Sequence, residues 1–381
     1  MRFDRRELAG AVADVGVLVP IAVALIVGNG LSATAVLLPA GLLYVTAALV
    51  YRLPVPVQPL KAFGAIAIAK GLGSDEIAAG ALLMGVIFVV LGRLGLLDLA
   101  ARGIPRALIR GVQLTVGLLF LKIAWGLVND PPNAFVEHAL DPATAIALGA
   151  CVLGLALALK QHSISLALVA SGVVAMVVLE ADELSLGPSA IAVPSIDGEV
   201  LLTALTVLVV PQLPLSFANS CLATADAART YFQEEAVRVR PGRLATTFGS
   251  ANLLAGSIGG MPVCHGAGGL TAHYAFGART GGAPLVMGVV LVALALGVGA
   301  GLAPLLAAFP LPLLAGLLAS AGLLHIGLLR DLSGGYEWLL ALVVGVVGFE
   351  LNLTVALALG LAAWWLPRAA RALRERPAFG G

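Results

Sequence analysis

Apolar residues in this 381-residue chain gather in long runs separated by short polar connectors. A helix crosses a membrane with about 20 apolar residues. Runs near that length lie around 8–28, 31–51, 76–97, 106–128, 142–159, 163–180, 201–225, 243–258, 284–303, 305–326, 336–349 and 351–367. Two shorter apolar pieces, near 59–72 and 265–277, follow the Pro-bearing segments PVPVQP (54–59) and GMPVC (260–264). Each is too short to cross as a helix and is expected to cross as an extended strand followed by a half-helix. The pattern therefore predicts an all-α membrane protein of fourteen transmembrane segments, with half-helices as segments 3 and 10.

Composition agrees with that pattern. Hydrophobic residues make up 60% of the chain and charged residues only 11%, against roughly 25% charged in soluble domains. The first run holds Asp14 and Pro20 and is too long for a signal peptide, so it reads as a membrane span. The net charge of +1, with Arg scattered between apolar runs, provides no basic face for nucleic acid. Cys151, Cys221 and Cys264 sit in or beside apolar runs and suggest reduced thiols, not a disulfide framework.

Charge also orients the chain, because Lys and Arg collect on the cytoplasmic side of a membrane. With fourteen crossings and both termini inside, the inner loops receive Arg52, Arg93, Arg106, Arg229, Arg243 and Arg330, among others. The outer loops receive mainly acids such as Asp75, Glu76, Asp130, Glu183 and Asp197. A bacterial-type inner membrane is the expected location. The largest polar insertion is the inner loop 228–243, and no soluble domain is expected.

VLVP ending at Pro20 resembles LVVP ending at Pro211, and PVQP from Pro56 resembles PVCH from Pro262. These offsets suggest two repeats, 1–200 and 201–381. Seven segments per repeat would invert the second copy, as secondary transporters do.

Ionisable or amide side chains inside spans are costly, at about 2.5–3.5 kcal/mol for Asp, Lys or Arg at mid-depth. Asp14, Gln58, Lys61, Gln212, Asn219 and His265 are the candidates. A half-helix beginning inside the membrane presents free N–H groups and about half a positive charge, which suits an anion. Pro59 fits the first helical position, and Gly266, Gly268 and Gly269 allow close backbone approach to a ligand. Two such starts together with Lys61 would balance a dianion. Lys61 reads as a ligand contact, with an Asp14 ion pair or snorkelling as the alternative. Asp14 reads equally as a structural partner or as a proton-coupling carboxylate. Gln212 and Asn219 lie seven residues apart, near one helical face, and fit either substrate contact or interhelical hydrogen bonding. His273 reads as packing, and Arg279 as an inner-loop anchor. No metal, cofactor or nucleotide site is expected, since HGAGG lacks the ending of a Walker loop.

Four segments, ELAGAVADVGVLVPI (7–21), VPVQPLKAF (55–63), VVPQLPLSFANS (209–220) and GGMPVCHGAGGLTAHYAFGARTGG (259–282), resemble the molybdate transporter family, a branch of the sulfate permease superfamily. The resemblance implies a seven-plus-seven inverted repeat of the uracil permease type, with core and gate parts. It also implies an oxyanion site between spans 1, 3, 8 and 10 and suggests a homodimer. Gln58, Lys61, Gln212, Asn219, His265 and Gly266 are then the substrate-binding candidates, with Asp14 the coupling candidate. Many sulfate permeases carry a STAS domain after the last span; none is expected here. In span 1, ADVGV has Val17 where the family has a hydroxyl, which leaves open the choice among molybdate, sulfate and tungstate.

A non-enzymatic oxyanion importer, coupled to protons through Asp14 or His265, is the leading expectation. A nucleobase carrier of the same fold would use a carboxylate in span 8 or 10, where only Asp226 is near. An intramembrane hydrolase built on Ser257 or Cys264 with His265 or His273 lacks both the GxSxG elbow and HExxH.

Overall fold

Helices occupy nearly every apolar run in the computed structural model, which describes residues 1–11, 15–97, 104–131, 133–158, 162–180 and 185–374. The first half holds α1 (Arg5–Ala11), α2 (Val15–Val23), α3 (Ala33–Tyr51), β1 (Gln58–Pro59), α4 (Lys61–Lys70), α5 (Ser74–Leu94), α6 (Arg106–Asn129), α7 (Pro142–Ala158) and α8 (His162–Glu180). The second holds α9 (198–232), α10 (Pro241–Ser257), β2 (Val263–Cys264), α11 (Ala267–Ala275), α12 (Gly282–Gly297), α13 (Gly299–Ala307), α14 (Leu311–Gly327), α15 (Gly335–Val347) and α16 (Leu353–Arg374).

Proline shapes two of these helices. It lacks an N–H, and its ring collides with the carbonyl four residues earlier. Pro211 and Pro214 lie in α9, whose hydrogen bonding relaxes into the π-turns Ala204–Val209 and Ser216–Ala223 on either side of them. Pro20 lies in α2, which runs on into the π-turn Ala24–Gly28. Helix ends carry local caps: the Ser32 hydroxyl accepts the N–H of Ala35 at 3.3 Å, and Arg52 closes α3 in the left-handed region with φ 58°.

The helices assemble as two tightly packed groups. In one, α10 lies along α5 and α12 along α3; in the other, α14 and α15 lie along α6, and α7 along α14. Glycine permits the closest approaches. A Cβ on Gly249 of α10 would stand 2.9 Å from the backbone N of Val89 on α5, and one on Gly322 of α14 would stand 2.8 Å from the Gly117 carbonyl of α6.

Among the described residues six helices are long and apolar enough to cross a membrane, or seven if the pair α12–α13, bent by 94°, is one span. Length and apolarity alone thus do not reach the expected fourteen. Several of the expected crossings are the shorter apolar stretches Leu18–Gly28, Pro142–Leu155 and Ala170–Leu179. The runs 336–349 and 351–367, expected as separate spans, are α15 and α16, which fold back on each other through the π-turn Gly348–Asn352: the Tyr336 hydroxyl donates to the Ala363 carbonyl at 2.8 Å, and a Cβ on Gly360 would lie 2.7 Å from Val344. The chain is a multi-pass membrane protein.

Candidate functional site

The two short helices α4 and α11 begin side by side because the segments before them pair. β1 and β2 are antiparallel, with Gln58 opposite Cys264 and Pro59 opposite Val263. The Leu60 N–H donates to the Pro262 carbonyl at 3.2 Å, and the Val263 N–H donates to Oδ1 of the fully buried Asn252 at 2.7 Å. Pro59 therefore lies in the strand and not at the first helical position; that place is taken by Lys61.

A cavity of about 480 Å³ opens where these starts face α6, α9 and α14. Lys61 of α4, Ala267 and Gly268 of α11, and Gln212 and Asn219 of α9 line one part of it. The Lys61 ammonium donates to Gln58 Oε1 at 3.0 Å. Gln212 Oε1 accepts the N–H of Phe63 in the first turn of α4 at 3.0 Å, while its Nε2 donates to the Ser216 hydroxyl at 3.0 Å. The first turn of α11 has no such side-chain cap.

Three candidates sit behind this wall. Gln58 is buried and orients Lys61. Gly266 presses on it: a Cβ there would fall 2.2 Å from Gln58 Oε1 and 3.4 Å from Asn219 Nδ2. His265 is fully buried outside the lining, its Nδ1–H donating to the Pro56 carbonyl at 2.8 Å. That leaves Nε2 as acceptor for the Thr247 hydroxyl at 3.0 Å, which itself lies 2.6 Å from the Tyr51 hydroxyl. Both ring nitrogens are thus engaged in bracing β1 and α3 against α10. Asp14 lies outside the described residues.

His273 is fully buried and does not line the cavity. Arg279 stacks its guanidinium 3.8 Å from the Tyr274 ring centre, and the backbone N–H groups of Arg279 and Thr280 donate to the buried Glu7 carboxylate at 2.8 Å. Those contacts tie α1 to the loop after α11. Among the described residues no group of His, Cys, Asp and Glu is arranged for a metal.

The remaining wall escaped the reading of the sequence. Arg106, Arg110 and Gln113, spaced i, i+4 and i+7, put one face of α6 into the cavity, and His325 enters from α14. Arg106 Nη2 donates to Asp331 Oδ2 at 2.6 Å and Arg110 Nε to Oδ1 at 2.8 Å, with Arg110 Nη2 also on Oδ2. Arg110 Nη1 further donates to Gln113 Oε1 at 2.8 Å. Among the described residues Lys61, Arg106, Arg110 and His325 line the cavity and no acidic side chain does. The helical spacing on α6 was the available signal, as was a His inside an apolar span.

The profile of the family described as "Molybdate transporter of MFS superfamily" matches residues 6–120 and 204–324. A curated relative, Molybdate transporter 1 of Arabidopsis thaliana, is 29% identical over 367 residues, covering 86% of this chain and 80% of its own. In fold the chain is similar to the transmembrane domain of a cyanobacterial bicarbonate transporter, BicA, with a TM-score of 0.67 and 19% identity, covering 93% of this chain and 98% of that one. It is equally similar, with a TM-score of 0.67 and 15% identity, to the murine anion transporter Slc26a9 in its inward-facing state, covering 97% of this chain and 70% of that one.

Proposed function

The chain belongs to the molybdate transporter family, and from that premise we propose that it imports a tetrahedral oxyanion, molybdate first, by alternating access. The observation that carries this reading is a cavity lined by Lys61, Arg106 and Arg110, with no acid on its wall among the described residues, into which the uncapped start of α11 opens. A dianion entering it meets one ammonium, two guanidinium groups partly neutralised by Asp331, and the positive ends of two helices. Gln212 and Asn219 add amide groups that recognise oxygen, and the volume suits a small hydrated anion. Sulfate and tungstate share this geometry and charge.

The packing supports an inverted repeat over 1–200 and 201–381. The α3–α12 contact has its counterpart in α10–α5, and α6–α15 has its counterpart in α14–α7. The sequence match of PVQP with PVCH makes Gln58 equivalent to Cys264, and these two residues face each other across the antiparallel strand pair. In this reading the group holding α4 and α11 rocks against the group holding α6 and α14, within an inner membrane and with both termini cytoplasmic. A homodimer is proposed on the superfamily resemblance alone.

Import against a negative interior costs about 2.3 kcal/mol per charge per 100 mV, so a dianion needs a driving ion, and a proton is the simplest. The deciding experiment is uptake of molybdate, sulfate and uracil into proteoliposomes, side by side, with and without an inward proton gradient. Saturable molybdate uptake is expected. Uracil uptake indifferent to excess molybdate would replace this reading with a nucleobase carrier.

A further inference from the structure

We propose that His325 carries the coupling proton, taking it up on Nε2 as the oxyanion settles against the ring; this rests on the oxyanion reading above. His325 lies near the end of α14 and lines the cavity that Lys61 enters from α4. Its Nδ1 stands 2.9 Å from the Ala321 carbonyl. A carbonyl only accepts, so Nδ1 holds a proton and the neutral ring presents a lone pair at Nε2. Among the described residues that nitrogen has no hydrogen-bond partner and is not sealed off, unlike those of His265, which are both engaged.

The charged groups facing the cavity are Lys61 from α4 and Arg106 and Arg110 from α6, with Asp331 clasped by both arginines. α2, α7 and α8, which also pack on α14, bring it no charged side chain among those described, the turn Leu328–Asp331 carries Arg330 beside Asp331, and Asp14 lies outside the described residues. With the cavity empty, the cationic groups of its wall disfavour a further positive charge on the ring. An oxyanion reverses that balance. A lone pair directed at an oxyanion is repulsive, whereas a protonated Nε2 donates a short, charge-assisted hydrogen bond to it. One N–H bond therefore forms as the anion arrives, and the same proton leaves when the anion departs on the other side. The net event is co-transport of the anion with one proton.

Molybdate binding to the purified protein, measured calorimetrically at neutral pH in two buffers of different ionisation enthalpy, counts the protons taken up. About one proton per anion is expected for the wild-type protein, a measurement that needs no variant. His325→Gln is expected to bind molybdate up to about tenfold more weakly, with no proton uptake, and to lose stimulation by an inward proton gradient in proteoliposomes. Wild-type binding without proton uptake, or uptake persisting in His325→Gln, overturns the assignment. Wild-type protein that binds neither molybdate nor sulfate removes the oxyanion reading itself, a failure distinct from either.

Discussion

The two short helices that open on the cavity start from paired strands yet use opposite chemistry. α4 begins with Lys61, oriented by Gln58, and its third amide is occupied by Gln212. α11 begins with Ala267 and Gly268, carries no side-chain cap, and has its neighbouring imidazole turned away into a buried hydrogen-bond chain. One start brings a charged side chain to the cavity; the other brings bare backbone and room. A pair of dipoles alone would recognise any anion, and the asymmetry gives the site a direction along which a ligand can be oriented.

Removing the charge from the first start is the severest way to break this asymmetry. Lys61→Met is expected to weaken molybdate binding by about 30-fold to over 1,000-fold while the protein still folds, because a desolvated charge contact contributes about 2–5 kcal/mol. Equilibrium binding to purified protein decides it; near-normal affinity would reduce Lys61 to a packing residue. Crowding the second start comes next. Gly266→Ala puts a methyl on Gln58 and Asn219, and overpacking at about 1–3 kcal/mol predicts roughly 30-fold weaker binding. Isothermal titration should record that loss, and an unchanged affinity would show that Gln58 can move aside freely.

A third change makes the two starts more alike. Gln212→Leu uncaps the Phe63 N–H, and leaving a buried donor unpaired costs about 1–3 kcal/mol. Denaturant or thermal unfolding should show that destabilisation; full retention of stability would mean that water or ligand takes over the cap. Smallest of all is Asp331→Asn, which lies away from both starts. Its bonds to Arg106 and Arg110 are partly exposed, so under about 1 kcal/mol of stability is at stake. The freed guanidinium groups should nonetheless bind sulfate or molybdate a few-fold more tightly in a competition assay.

The positions of α4 and α11 were legible within a few residues, since Pro and Gly mark where a helix cannot continue or must begin. Lys61, Gln212 and Asn219 were legible as polar groups too costly to leave in an apolar run. The engagement of His265 was not, because its partners Pro56 and Thr247 lie in segments that meet it only in three dimensions. Arg106 looked like a loop anchor for the same reason: its charge acquires a cavity only when α6 packs beside α14. The division between the last two runs was legible as well, since α15 and α16 fold back on each other through Gly348–Asn352.

The ladder between Gln58–Pro59 and Val263–Cys264, with the bond from Leu60 to Pro262, stitches the two jaws of the site edge to edge. Neither jaw can swing without dragging the other. On the transport reading proposed above, cargo would be handed over by tilting grip and cargo as one against the wall of α6 and α14, not by parting the grip like a pair of tongs.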